Sequence, residues 1–396
     1  MPASKNVKGL FCLRPFTNID ITYYKMTSCC CESWLPNFNA GDLEKYTLSE
    51  IWNSGIMRRI RKSILDGRYD LCSKQRCPYL QSDDSRLYTR DELRSVVEAD
   101  EKGIDPEPQL LHIKQFAPWI REILDGKTHL DILPANYNLC YDESCNLRCP
   151  SCRKTNKVHT HGEEYDRRLL IHKKLFEEIE KHGYENVRSF TVTGAGDPFC
   201  SKIYQDLLFN FDGRKYPLLK FIIMTNGVLL TPEAWEKMNK IHKNIEYIFI
   251  SVDAATPGTY EKIRVNGDFE KLKNNIEFLG QKRLEKKLNC LVTALIVQKK
   301  NYKEMPEFIE FCKTNNVDLT NFSTLDDWES WELDEYLENA VCRPDHPEYP
   351  ELLEVLKDPI FDDPIVNLGN VSIHRNRALE SSCSCIYMER NKSLTL

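Results

Sequence analysis

The sequence lacks a basic excess, a long apolar run and an internal repeat of short period. Lysine and arginine number 54 against 60 aspartates and glutamates, which gives a formal net charge of -6 and an isoelectric point near 5.9. This balance does not favour nucleic acid as a partner. No apolar run is long enough to span a bilayer, and the first residues lack the apolar stretch of a secretory signal. We therefore expect a cytoplasmic protein with no membrane or nucleic-acid partner.

Cysteine, by contrast, is abundant. The chain has 16 cysteines in 396 residues, and a chain of this length buries a large core without disulfide bonds. In a reducing compartment, clustered thiols indicate metal or redox sites more than disulfides. The clusters fall at 12, 29–31, 72 and 77, at 140–152, and at 383 and 385. The isolated cysteines are expected to be small buried apolar residues: Cys200, Cys290, Cys312 and Cys342.

The most specific pattern is Cys145-x3-Cys149-x2-Cys152, which follows an apolar run. A short loop folds three such thiolates around one face of a four-iron cluster, so that one iron is left without a protein ligand and binds a substrate or cofactor. Two alternatives stay open on the spacing alone. A zinc site would take a fourth ligand such as His159 or His161, and ordinary core thiols need no metal.

Between residues 129 and 330, β-rich runs alternate with amphipathic helical stretches. This alternation favours an α/β fold of parallel βα units, in an open sheet or a barrel, with the chemistry at the carboxyl ends of the strands. Including the strand before Cys145, we count six units. The other predicted strands are 188–193, 219–224, 246–252, 290–297 and 317–323. The predicted helices are 163–183, 201–210, 231–243, 268–287 and 303–315.

The rest of the chain divides into three segments. Residues 1–84 form a small cysteine-rich domain, and residues 85–128 form a charged linker with an amphipathic helix over 108–125. Residues 331–396 form a C-terminal extension that ends near Cys383 and Cys385. The acidic and aromatic stretch from Trp328 to Leu333 is expected to be a helix packed on the main domain, although it also suits a cationic or sugar substrate.

Polar or glycine residues follow several predicted strands. Glycine leaves the backbone open to close approach, a carboxylate there binds an ammonium group, and a guanidinium binds a carboxylate in bidentate fashion. Alternation places Ser251 and Asp253 on one face. Simpler interpretations are a turn, a helix N-cap and a solvated helix surface. The candidate residues are Gly194, Gly196, Asp197, Asn226, Ser251, Asp253 and Arg264.

Together these residues resemble the radical S-adenosylmethionine (radical SAM) superfamily over about residues 130–325. The resemblance implies a partial (β/α)6 barrel, in which Cys145, Cys149 and Cys152 hold a [4Fe-4S] cluster that binds SAM. It assigns the strand-end residues listed above to the amino, carboxylate and ribose groups of SAM. The residue before the third cysteine is usually aromatic and is here Ser151, so adenine contacts are assigned to Leu295 and Val297.

The first segment resembles the SPASM domain, which binds auxiliary iron–sulfur clusters and usually follows the barrel. The resemblance rests on Glu50-Ile-Trp52-Asn-Ser, with Arg58 and Arg61, and on the cysteine spacing. It implies four thiolate ligands for an auxiliary [4Fe-4S] cluster, with Ile51 and Trp52 capping an apolar nook beside it; a structural zinc stays the alternative. The candidate ligands are Cys12, Cys29 or Cys30, Cys72 and Cys77.

The implied activity is reductive cleavage of SAM to a 5′-deoxyadenosyl radical, which abstracts hydrogen from a peptide or protein substrate. A flavodoxin or ferredoxin is the expected electron donor. Cys200 is a candidate hydrogen donor if the outcome is an epimerisation. Three alternatives stay open: radical dehydrogenation or epimerisation of a sugar or small natural product, an iron–sulfur electron carrier without SAM turnover, and a zinc-binding interaction protein with a non-catalytic barrel.

Overall fold

The computed structural model describes residues 7–22, 27–31, 33–36, 38–81 and 86–380, so Cys383 and Cys385 lie outside the described residues. The chain divides into two compact units. Unit 1 comprises residues up to 143 together with 159–195 and 212–221, and unit 2 comprises 144–158, 196–211 and the residues from 222 onward. The boundaries of the four sequence-based domains stay a prediction.

Within the described residues, unit 1 contains six complete strands and seven α-helices. A two-stranded antiparallel sheet pairs β1 with β4, and a second sheet has the order β6-β5-β2-β3, in which β5 runs parallel to both β2 and β6. The strands are β1 (Leu10–Cys12), β2 (Asn18–Thr22), β3 (Thr27–Ser28), β4 (Leu87–Thr89), β5 (Asn136–Cys140) and β6 (Ser189–Val192). The helices are α1 (Arg14–Thr17), α2 (Leu48–Trp52), α3 (Gly55–Leu65), α4 (Pro78–Gln81), α5 (Arg90–Glu101), α6 (Ala117–Leu124) and α7 (Glu163–His182).

Strand β7 (Lys220–Thr225) has residues in both units, and the later elements belong to unit 2. Here β8 runs parallel to β9, β9 to β10, and β10 to β11. The strands are β8 (Ile245–Ser251), β9 (Leu291–Val297), β10 (Leu319–Thr324) and β11 (Val366–Asn367). The helices are α8 (Lys202–Asn210), α9 (Pro232–Lys237), α10 (Pro257–Ile263), α11 (Phe269–Leu284), α12 (Met305–Thr314), α13 (Leu333–Asn339) and α14 (Tyr349–Val355), followed by helical residues 372–380.

The predicted α/β class is confirmed, because β5 to β10 alternate with helices as the six predicted βα units require. The helix starts follow local chemistry. The Thr231 hydroxyl accepts a hydrogen bond from the Ala234 amide at the start of α9. The first turn of α7 is acidic, and its negative side chains interact favourably with the positive end of the helix dipole. Among the described residues, no helix is both long and apolar enough to cross a lipid bilayer.

The predicted helix over 108–125 is present as a 3-10 helix (Pro108–Phe116) followed directly by α6; at their junction Pro118 has no N–H for an α-helical bond to the Lys114 carbonyl. One prediction of local structure is wrong. The stretch after β10 is not helical before Leu333, and the Trp328 side chain is 67% exposed. Its neighbour Glu332 instead forms a surface ion pair with Lys154 at 3.0 Å.

Candidate metal centres and cofactor site

The Cys145–Cys152 loop belongs to unit 2 and is held by backbone hydrogen bonds. The Cys145 amide donates to the Lys157 carbonyl at 2.9 Å, and the Cys152 amide donates to the Cys149 carbonyl at 2.9 Å. Cys145 and Cys149 are buried while Cys152 is exposed. Burial raises the pKa of Cys145 to about 11 and also raises the pKa of Cys149. The loop therefore holds two thiols inside and one at the surface.

Polar side chains that follow β7 and α10 donate to the two buried sulfurs. The Arg264 guanidinium donates to the Cys149 sulfur at 3.4 Å. The Asn226 amide donates to the Cys145 sulfur at 3.7 Å and to the Asn146 side chain at 2.8 Å. Hydrogen bonds of this kind favour the thiolate form, which is the form that binds metal.

Arg264 and Asp253 meet as a buried ion pair. One Arg264 nitrogen lies 2.7 Å from an Asp253 carboxylate oxygen, and the other carboxylate oxygen accepts from the Ile296 amide at 2.8 Å. The Arg264 Nε is buried and has no hydrogen-bond partner among the described residues. The expected alternation of Ser251 and Asp253 does not hold, because β8 ends at Ser251 and Asp253 has a left-handed φ of 68°.

Asp197 braces the neighbouring strand end. Its carboxylate accepts hydrogen bonds from the Thr225 hydroxyl at 2.7 Å and from the backbone N–H groups of Asn226 at 2.8 Å and Phe199 at 3.0 Å. Asp197 is 0% exposed, and burial raises its pKa. This set of partners favours a role in ordering Asn226; the predicted contact with an ammonium group stays a prediction.

The remaining candidates differ in access. Gly194 is exposed, Gly196 and Ser251 are half-buried, and Cys200 is half-buried with its amide donating to the Asp197 carbonyl at 3.1 Å. Leu295 and Val297 are both 0% exposed, so they pack in the core of unit 2, whereas Ile296 between them is half-buried. The assignment of adenine contacts to Leu295 and Val297 stays a prediction that this packing does not favour.

Two residues that sequence reasoning missed fix the Asp253 segment. The Asn301 amide donates to the Asp253 and Ile296 carbonyls, both at 2.8 Å. The Glu304 carboxylate accepts from the Ala255 amide at 2.9 Å and from the Thr256 hydroxyl at 2.8 Å, at the start of α10. Because α10 leads directly to Arg264, these contacts position both members of the ion pair.

The second group of cysteines lies in unit 1 around a small cavity. Arg14 and Tyr69 also line this cavity. Burial raises the pKa of Cys72 to about 12 and raises the pKa of Cys12 further. The thiols that line the cavity are those of Cys12, Cys30, Cys72 and Cys77.

The structure separates the adjacent cysteines Cys29 and Cys30. Cys30 lines the cavity, whereas Cys29 is 0% exposed and is not among the lining residues. A hydrogen bond with the Cys29 thiol lowers the pKa of Cys30, and the nearby Arg14 cation lowers it further against the effect of burial. Arg14 is held by a bond from its Nε to the Cys29 carbonyl at 3.2 Å. This arrangement favours Cys30 as the ligand.

The Glu50-Ile-Trp-Asn-Ser motif has a different place from the expected one. Neither Ile51 nor Trp52 lines the cavity. Instead the Trp52 indole donates to the Ile132 carbonyl at 3.0 Å, and Asn53 exchanges two hydrogen bonds with the Leu130 backbone. The buried Arg61 guanidinium lies 4.2 Å from the centre of the Trp52 ring. The motif thus anchors the segment that leads into β5.

The donor sets fit iron–sulfur clusters. Each centre offers three or four thiols, and cations or amides lie beside the sulfurs. In the described part of the chain, no three His, Cys, Asp or Glu side chains converge on one point as a single metal ion requires. Thiolates of a four-iron cluster each bind their own iron and do not converge in this way.

Comparison with known proteins adds two family matches. The radical SAM superfamily model matches residues 143–312. The SPASM model, an iron–sulfur cluster-binding domain, matches residues 12–78. These matches imply a SAM-binding [4Fe-4S] cluster, an auxiliary cluster and SAM as cofactors, and they do not support the zinc alternatives.

Individual relatives are distant. A Pyrococcus furiosus protein named tungsten-containing aldehyde ferredoxin oxidoreductase cofactor-modifying protein is 26% identical over 185 residues, covering 46% of this chain and 49% of its own. A probable GTP 3′,8-cyclase of Methanococcus maripaludis is 25% identical over 179 residues, covering 45% and 55%. The chain thus spans about half the length of these curated relatives.

Among solved structures, SuiB of Streptococcus suis bound to the precursor peptide SuiA has a TM-score of 0.43 at 16% identity, covering 93% of this chain and 73% of its own. That likeness is too weak to bear on the substrate. The two family models match the two cysteine groups in the order that the sequence indicated. The chain therefore has a SPASM domain over residues 12–78 and a radical SAM domain over residues 143–312.

Proposed function

We propose that this radical SAM enzyme modifies a peptide, with Cys145, Cys149 and Cys152 holding the cluster that binds SAM. The observation that carries the SAM site is the network of Asp253, Arg264 and Cys149, because it joins a carboxylate that follows β8 and a guanidinium that follows α10 to a ligand sulfur. A structural loop of core thiols would have no need of a buried cation at its sulfur. The network supports a site that stabilises thiolate charge and an anionic ligand together.

The chain's own residues prepare this site. The buried Arg264 Nε has a free donor for the carboxylate of SAM. Asn226 offers a side-chain amide beside Cys145. Gly196, which follows β6, and Ser251, at the end of β8, are half-buried and offer backbone and hydroxyl groups. Cys145, Cys149 and Cys152 would hold the cluster, which would supply the electron for reductive cleavage of SAM and thereby the radical chemistry that removes hydrogen from the substrate.

We assign the auxiliary cluster to Cys12, Cys30, Cys72 and Cys77, with Cys29 as a hydrogen-bond donor to Cys30. Four ligands complete the coordination of a four-iron cluster, so this centre suits electron transfer. It would receive an electron from an external donor such as a flavodoxin or ferredoxin. Cys200 stays a candidate hydrogen donor for an epimerisation outcome.

The peptide substrate is supported by the SPASM match, since enzymes that this chain resembles through that domain commonly modify peptides. A small-molecule substrate is the second candidate. It is favoured by the names of the curated relatives, which include a cofactor-modifying protein and GTP 3′,8-cyclases.

Anaerobic reconstitution with iron and sulfide tests the proposal. With dithionite and SAM, the protein is expected to form 5′-deoxyadenosine, and a pool of synthetic peptides is expected to raise the rate while GTP does not. Zinc in place of iron, with no 5′-deoxyadenosine, would overturn the enzyme assignment. Stimulation by GTP alone would favour the small-molecule alternative.

A further inference from the structure

Three neighbouring strands of unit 1 have one apolar and one polar face. Both faces of a parallel sheet are normally apolar, since each is covered by other parts of the core. On the apolar face here, the side chains are no more than 1% exposed. These are Ile19 and Ile21 of β2, Tyr137 and Leu139 of β5, and Phe190 and Val192 of β6. The alternate positions are Asn18, Asp20, Thr22, Asn136, Asn138, Cys140, Ser189 and Thr191.

The polar face has rows set by the strand register. One row is closed by the chain itself, because the Ser189 hydroxyl donates to Asn136 at 2.8 Å and the Asn136 amide donates to Asn18 at 3.3 Å. The next row places Asp20 beside Asn138, and Asn138 beside Thr191. Asn138 and Thr191 are half-buried, so this row faces accessible space.

Asp20 is the charged member of this row, and its charge is only partly compensated. The one ion pair that it forms among the described residues is with Arg14, at 3.8 Å. Arg14 also donates to the Cys29 carbonyl, lies over the Trp34 ring at 5.7 Å and lines the four-cysteine cavity. Asp20 is 8% exposed, and a buried carboxylate without a close cation is costly.

We propose that this row binds the substrate and that Asp20 pairs with a basic side chain of the peptide. The inference rests on the proposed peptide-modifying function. The hydroxyl of Thr191 suits an amide group of a peptide. Asn138 orients Asp20 by a hydrogen bond to its carboxylate, and this carboxylate complements a lysine or arginine side chain. The triphosphate of a nucleotide would meet a carboxylate here.

Two members of the row lie in the two family matches. Asp20 lies within the SPASM match and Thr191 within the radical SAM match, and β2 of the cysteine-rich segment pairs directly with β5. The cysteine-rich segment therefore has a second role besides holding a cluster, since it provides the charged determinant of substrate choice.

Selection from a display library of random linear peptides, on the anaerobically reconstituted full chain with SAM present, tests this role. The retained peptides are expected to be enriched in lysine or arginine at one position by roughly tenfold. Asp20→Asn is expected to lose this enrichment, with its iron content and melting temperature as checks of folding. Thr191→Val is expected to weaken retention while the basic preference persists.

The outcomes separate this inference from the proposed function. A wild-type pool without basic preference, or an equal preference in Asp20→Asn, would overturn the role of Asp20 while leaving a peptide substrate in place. If no peptide is retained by a protein that cleaves SAM, the peptide substrate itself is overturned, and the inference with it. The wild-type selection decides the matter even if Asp20→Asn does not fold.

Discussion

The four-cysteine cavity of unit 1 and the three-cysteine loop of unit 2 hold their thiols in different surroundings. Among the described residues, the cavity is lined by four thiols, by aromatic and apolar side chains and by one cation, Arg14. The loop has two buried thiols and the exposed Cys152, and its sulfurs accept from Arg264 and Asn226. The first site suits a cluster whose irons are all bound by protein, and the second suits one with an open iron and a polar ligand.

The largest effect expected is from the loop. Cys149→Ala should lower 5′-deoxyadenosine formation by at least about 100-fold, because a site with two thiolates no longer holds the cluster to which SAM binds. The product is measured by chromatography after addition of dithionite and SAM. Cys290→Ala is the control, since Cys290 belongs to neither cysteine group, and it should keep wild-type activity.

A change in the four-cysteine cavity should remove iron while sparing SAM cleavage. Cys72→Ala should lose roughly half of the bound iron, because one cluster is removed, and should retain measurable SAM cleavage. Iron and sulfide analysis checks the first point, and the same chromatographic assay checks the second. Loss of all iron from this variant would mean that the two centres are not independent.

A smaller effect is expected at the ion pair. Arg264→Lys should raise the KM for SAM by about 10-fold with less effect on kcat, because lysine cannot contact Asp253, Cys149 and a ligand carboxylate together. Initial rates over a range of SAM concentrations give both constants. Lys262→Ala, at an exposed position on the same helix, is the matched control. An unchanged KM in Arg264→Lys would remove Arg264 from the SAM site.

The smallest effect on SAM cleavage is expected from a change at Arg61, the buried residue beside the Trp52 ring. Arg61→Ala should lower the free energy of unfolding by about 3 kcal/mol, because the Pro15 and Thr128 carbonyls lose a charged donor. Thermal denaturation of the reconstituted protein measures this loss, and the exposed Arg58→Ala should show almost none. Equal destabilisation by the two variants would contradict the anchoring role.

Sequence patterns predicted the parts of the molecule that repeat along the chain. The strand and helix alternation and the Cys145–Cys152 loop are local patterns, so their positions could be read before the structure. The choice between Cys29 and Cys30 could not, because it depends on which side chain faces the cavity. Asn301 and Glu304 were missed for a similar reason, since they act on backbone groups of a segment almost 50 residues earlier.

The difference between a closed and an open centre is tested most directly by Mössbauer spectroscopy of the reconstituted protein before and after addition of SAM. We expect SAM to change the signal of a single iron, about one in eight of the irons in the wild-type protein. In Cys72→Ala, SAM should likewise change the signal of one iron of the cluster that remains. No change on addition of SAM, or a change that disappears in Cys72→Ala, would contradict the assignment of the open iron to the Cys145–Cys152 loop.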